Sequence, residues 1–305
     1  MPKVFSKKNM SNTDLVGVIE LKQIIVAQSE EAINFLNINH YYRVSGYWKF
    51  LLGSSTPVKF NEIISAYDID SDIRIITFEL ISKFEILIKN FVVSLSLHLP
   101  NTTNNNDPHY YLDDKLFDTT KTDHNGKLRY STLIDKIIKQ LNHPSPDTFI
   151  QAYKKNYNSP QTPPIWMVVE ILSLGELITL IKLISDPILK MALVKMFDLK
   201  STEYGSLLHT TNILRNKCAH HSRLIDVEIA QYVKHLPLYL KLSTSSFKLW
   251  SSINFIFHVL KHHKQFSFIL YIVDKIEKAQ KTNNVDLKHY GFPSNWLERL
   301  LWFIT

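Results

Sequence analysis

Apolar residues recur along this chain mostly at intervals of three and four, the period of a helix with one buried face. The longest such pattern runs from Ile63 to Leu99, with Ile75, Ile76, Phe78, Leu80, Ile81, Phe84, Ile86, Leu87, Ile88 and Phe91 on it. It stops before Pro100 and an Asn-rich loop, Asn101 to Asp107. Upstream, residues 1–28 read as a mobile arm leading into a first apolar segment, Leu15 to Val26. Ser29-Glu30-Glu31 reads as a helix start, a serine cap followed by acids where the helix dipole favours them. Tyr41-Tyr42-Arg43-Val44-Ser45-Gly46-Tyr47-Trp48 reads as a tight turn broken by Gly46, its aromatics plugging a helical bundle. The rival reading of that run, a stacking platform for RNA bases beside Arg43, is the weaker one.

Pro108 to Gly126 reads as a long loop with one short turn, and Leu128 to Leu141 as a helix. Asp147 is placed to cap a helix over 148–155, and a proline-bearing connector follows, Asn156 to Pro164. Ile165 to Ile184 reads as one helix, interrupted by Glu170, Glu176 and Lys182 and therefore not a membrane span. Further helices are predicted over 187–197, 202–214, 227–239, 248–261, 266–281 and 296–303. Strand signals are sparse, with no Asn-Gly or Asp-Gly hairpin turn. The expected fold is all-α, a multi-helix bundle over 61–305 with an arm and helical extension over 1–60.

Composition narrows the chemistry. With 45% hydrophobic and 21% charged residues, a chain of 305 residues has the makings of an ordinary globular protein. A single cysteine allows no internal disulfide and suits a reducing cytoplasm. The net charge of +7 suits a polyanionic partner. The seven glycines are too scattered for a P-loop or a dinucleotide-binding turn. Neither His-Glu-x-x-His nor Gly-x-Ser-x-Gly occurs, which closes the usual routes to zinc protease and serine hydrolase.

One stretch concentrates reactive groups: Asn212-Ile213-Leu214-Arg215-Asn216-Lys217-Cys218-Ala219-His220-His221-Ser222-Arg223-Leu224. At about 100° per residue, Asn216 and His220 share a helix face, while Arg215 sits about 140° round from His220. Arginine offers a planar fork to phosphate oxygens and histidine titrates near neutral pH, so the pair suits chemistry on a phosphodiester. Cys218 falls between the reactive side chains and reads as a small buried residue. Arg223 has Asp226 as a candidate partner or contacts RNA. Glu85 and Lys89 are spaced for an ion pair along their helix. His209 has no assigned role, and Lys261-His262-His263-Lys264 reads as an exposed helix end.

Arg-Asn followed by His four positions after the asparagine resembles the motif of the HEPN superfamily of helical RNases. The longer run Arg215 to Leu224 resembles its Abi branch, the abortive-infection proteins of phage defence. Asn39 to Trp48 and Pro164 to Gly175 resemble the same branch in the expected order. The resemblance implies a HEPN-like helical bundle and a metal-independent endoribonuclease of an abortive-infection or toxin–antitoxin system, with no cofactor. His220 would then act as general acid/base, Arg215 would stabilise the phosphorane, and Asn216 would hold His220 or the phosphate. His221, Arg223, Glu85 and Lys89 would support the site or touch RNA, although Ser82 and Lys89 stand where many relatives carry an acid and an arginine. A homodimer with facing motif helices is expected, and a small structured RNA as a possible regulator. The alternative is a HEPN protein that binds such an RNA without cutting it.

Overall fold

The computed structural model describes residues 9–48, 51, 57–99, 106–160, 162–229, 248–283 and 286–304. These form thirteen α-helices and no strand; pairing of β type is confined to three isolated bridges among the described residues. The fold is all-α.

Helix α4, Phe60–Ser94, is the axis of the molecule, and the chain continues from it as a 3-10 turn to His98. At 1.5 Å per residue it is roughly 50 Å long. Its apolar positions circle widely enough to meet α3 (Tyr41–Trp48), α7 (Ile165–Ile171), α8 (Leu174–Leu183), α10 (Ser201–Ala219), α11 (Leu249–His262) and α12 (Phe266–Asn283). Helices α5 (Arg129–Leu141) and α9 (Pro187–Phe197) pack outside α8 and α10, while α6 (Thr148–Asn156) and α13 (Trp296–Ile304) complete the set. One hydrophobic cluster runs through the molecule from Val16 to Leu300.

Several expectations change. Residues 12–20 form helix α1, capped by Ser11, whose hydroxyl accepts from the Asp14 amide; Val16 and Ile19 are buried. Residues 1–8 of the expected arm lie outside the described residues; beyond them, a helix that packs on α2 (Ser29–Ile38) stands in place of a mobile arm. In α2 the first helical residue is Ser29 itself, with Gln28 in the capping position. Gly46 does not break its run: α3 is continuous, because burial of Val44, Tyr47 and Trp48 outweighs the roughly 1 kcal/mol that glycine costs a helix. The expected single helix over 165–184 is two, divided at Leu172–Ser173. Ser173 and Glu176 cap the second reciprocally, a Ser-x-x-Glu box that overrides the continuous apolar pattern.

The loop at 108–126 contains two 3-10 turns and is a strap: Tyr110 and Tyr111 are buried and donate to the carbonyls of Val92 and Pro163. Asp147 occupies the cap of α6 without a side-chain bond to it. Of the helix expected over 227–239, residues 227–229 are not helical and the remainder lies outside the described residues, as does most of the Asn-rich loop.

Candidate functional site

The reactive stretch straddles the end of α10. Ala219 is the last helical residue, and His220 is the cap, with φ −92° and ψ 15°. His221 turns left-handed at φ 53°. Its amide donates to the Cys218 carbonyl at 3.1 Å, and the Ser222 amide to that of Lys217 at 2.8 Å. These two bonds define a Schellman closure with histidine where glycine is usual. Arg215 and Asn216 thus lie on the last helical turn, and both histidines on the closure.

Three groups from elsewhere hold this closure. Arg43 on α3 donates from Nη2 to the His221 carbonyl and from Nε to the Tyr67 hydroxyl, at 3.2 Å for the latter. In return, Arg223 donates to the Gly46 carbonyl of α3. Asp70 on α4, fully buried, accepts from the amides of Leu224 (3.1 Å) and Ile225 (2.7 Å). It also accepts from the hydroxyls of Tyr47 (2.8 Å) and Tyr290 (3.1 Å) and from Arg74, one turn along α4. A carboxylate survives burial only when so satisfied. Burial, together with the neighbouring Asp70 charge, pushes both phenols well up, so they stay protonated donors. Burial opposes the charge on Arg74, but Asp70 prevails and its guanidinium titrates above its ordinary value.

Against this frame the motif side chains are loosely engaged. Arg215 places Nε 4.0 Å from Glu85 on α4 and Nη1 3.4 Å from the Asn216 side-chain oxygen. Its Nε is buried without a hydrogen-bond partner among the described residues. Asn216, His220 and His221 are exposed, and among the described residues neither imidazole makes a hydrogen bond. Asn216 therefore engages Arg215 here and not His220. The expected Glu85–Lys89 pair does not form: Lys89 reaches across to Glu170 on α7 at 2.8 Å, leaving Glu85 to Arg215. Two long side chains one turn apart gain little from each other on a helix surface, and tertiary partners win.

A sequence model of the Abi-like protein family matches residues 34–226, more than half of the chain. The chain belongs to the Abi-like family. No curated protein and no solved structure matches it. The matched span of this Abi-like protein begins in α2 and ends just past the closure, so it contains Arg43, Asp70, Arg74 and the whole motif. Tyr290 lies outside that span yet completes the Asp70 cluster. Membership suggests abortive-infection phage defence.

Cys218 is buried, and burial pushes its thiol up to about 12, so it carries no nucleophilic thiolate at neutral pH. Asp226 pairs with Lys248 at 2.8 Å, while the Arg223 guanidinium is taken up by Gly46. Tyr47 and Trp48 plug the core as expected, and Tyr42 alone of that run is fully open to solvent. His263 donates from Nε2 to the Met196 carbonyl at 2.8 Å and lies against Phe91, so this helix end is less open than its sequence suggests. Among the described residues no three His, Cys, Asp or Glu side chains gather as metal ligands, and no helix is long and apolar enough to cross a membrane.

Sequence reasoning missed Asp70 and Tyr290. Asp70 and Arg74 were visible as an acid and a base at helical spacing within a strongly apolar face, a pattern that marks a buried pair. Tyr290 lies 220 residues from Asp70 and carries no local signal.

Proposed function

We propose that this Abi-like protein is a metal-independent endoribonuclease of an abortive-infection or toxin–antitoxin system. The observation that carries this reading is the contrast between a firmly clamped closure and the open His220 ring beside a weakly paired Arg215. Catalytic groups need that combination of fixed backbone and unspent side chain.

RNA supplies its own nucleophile. The 2′-hydroxyl attacks the adjacent phosphorus as a base removes its proton, the bond to the 5′-oxygen breaks, and an acid protonates that oxygen. His220 serves as general acid/base, a role worth on the order of 10² to 10⁴ in rate. Arg215 neutralises the charge that develops on the phosphoryl oxygens. Glu85 and Asn216 flank the guanidinium, at 4.0 Å from Nε and 3.4 Å from Nη1. Arg223 and Lys89 act through the frame, whereas the open His221 ring is available to the RNA backbone.

In an in-line displacement the attacking 2′-oxygen and the leaving 5′-oxygen lie on opposite sides of the phosphorus, so a base on one side and an acid on the other serve it better than one imidazole. A homodimer with facing motifs supplies the second imidazole, and a twofold pairing is the commonest association of identical chains. A small structured RNA is a natural regulator of such a site. The test is incubation of RNA with the protein in excess EDTA, followed by analysis of the ends. Cleavage to 2′,3′-cyclic phosphate and 5′-hydroxyl ends supports the reading. A Mg²⁺ requirement, 5′-phosphate ends, or binding without cleavage contradicts it. Mixing wild-type with His220→Ala chains tests the dimer: activity falls as the square of the wild-type fraction if the site is composite, and linearly if each chain works alone.

A further inference from the structure

The motif does not account for a second basic feature of α10. A cavity of about 260 Å³ opens between α8, α10 and the segment leading into α5. Lys121, Arg129, Lys182 and His209 line it, together with the polar side chains of Asn212 and Thr179. No carboxylate is among its lining residues. Outside the lining, Asp118 meets Lys121 at 3.4 Å. Arg129 is held in place by the Thr122 carbonyl at 2.9 Å, and Lys121 donates to the Lys182 carbonyl at 3.3 Å. Lys182 makes no side-chain bond of its own among the described residues.

Like charges brought together repel, and the ion pair formed by Asp118 reaches Lys121 alone among these basic groups. Partial desolvation, with the Arg129 and Lys121 charges, lowers the Lys182 ammonium. Desolvation, with Lys182 and Arg129, likewise lowers His209. An anion would relieve the like-charge part of both effects. A guanidinium fork, two ammonium groups and an amide are the donor set that phosphate oxygens accept from.

Position supports the same chemistry. At 100° per residue, His209, Asn216 and His220 fall within about 20° of one line along α10, with Asn212 beside it. The opposite face carries the buried Leu207, Leu214 and Cys218. His209 and His220 are separated by roughly 16 Å along the helix.

We propose that this cavity is a phosphate-binding site, set along α10 from the motif, that takes a multiply charged phosphate group. That group comes either from an RNA strand lying along α10 or from a free polyphosphate compound. The proposal does not depend on cleavage, because its readout is binding.

The experiment is calorimetric titration of the full-length protein with sodium tripolyphosphate at fixed ionic strength. Saturable binding is expected. Lys182→Gln should weaken it at least tenfold, Lys182→Arg should restore it, and Lys190→Gln, exposed on α9 and not among the lining residues, should leave it unchanged. Absence of saturable binding, or equal affinity in Lys182→Gln, overturns the proposal. Thr179→Glu, which adds a carboxylate to the wall, should abolish binding, and retained affinity there also counts against it. Repeating the titration with an uncleavable 2′-deoxy oligonucleotide present identifies the source. Mutual exclusion assigns the site to the nucleic-acid strand, and independent binding assigns it to a free polyphosphate.

Discussion

Arg43 and His221, 178 positions apart in sequence, are joined by a hydrogen bond from guanidinium to backbone carbonyl. Arg223 returns a similar bond to Gly46, so α3 and the closure of α10 are tied by two crossing arginines. Arg43→Ala should cost about 1.5–3 kcal/mol, the range for a hydrogen bond with one charged partner. Arg43→Lys should recover only part of this, since a lysine cannot serve the His221 carbonyl and Tyr67 together. Urea unfolding measures both, and a wild-type midpoint in Arg43→Ala would refute the tie.

Asp70 is the anchor of the same region. Asp70→Ala strands the buried Arg74 charge as well as the two amides that follow Arg223. Removing one member of a buried pair costs about 3–5 kcal/mol. The expected result is a large fall in the urea midpoint, and a loss below about 1 kcal/mol would show that Asp70 is not the anchor.

These two clusters show what was legible in the sequence and what was not. The helical periods of α4, α9, α11 and α12 follow from local spacing, and so does the concentration of Arg215, Asn216 and His220 in one stretch. Gly46 and the break at Ser173 misled because tertiary burial overrode one local signal and a capping box overrode another. The exchange of Glu85 and Lys89 for Arg215 and Glu170 depends on which helices become neighbours, which spacing along one helix does not encode.

His221 pays a local conformational cost. A side chain in the left-handed region is disfavoured by about 1–2 kcal/mol, a penalty glycine avoids. His221→Gly should therefore raise stability by about 1 kcal/mol, or about 2 °C in Tm for a chain of this size. If its imidazole serves the RNA, activity should fall while stability rises. A Tm equal to or below wild-type would mean that the ring makes stabilising contacts that outweigh the strain.

Stability should also fall in mild acid. Burial, ahead of any charge effect, lowers the titration of His258 and His289, and desolvation does the same for His209. The unfolded chain then binds more protons than the folded one below about pH 6.5. The stabilisation is complete above that value and is lost as pH falls through the lower folded values. Urea midpoints at pH 7.5 and 5.5 should differ in that sense, and His258→Asn should reduce the difference. A midpoint that rises toward pH 5.5 would reverse the sign and refute the assignment.

The central claim is that His220 and Arg215 cut RNA. Its most direct test is the single-turnover cleavage rate of RNA by wild-type, His220→Ala and Arg215→Ala protein in EDTA, with folding checked by circular dichroism. A loss of at least a hundredfold in each folded variant is the predicted result. Cleavage at the wild-type rate with the same product ends, in either variant, would contradict it.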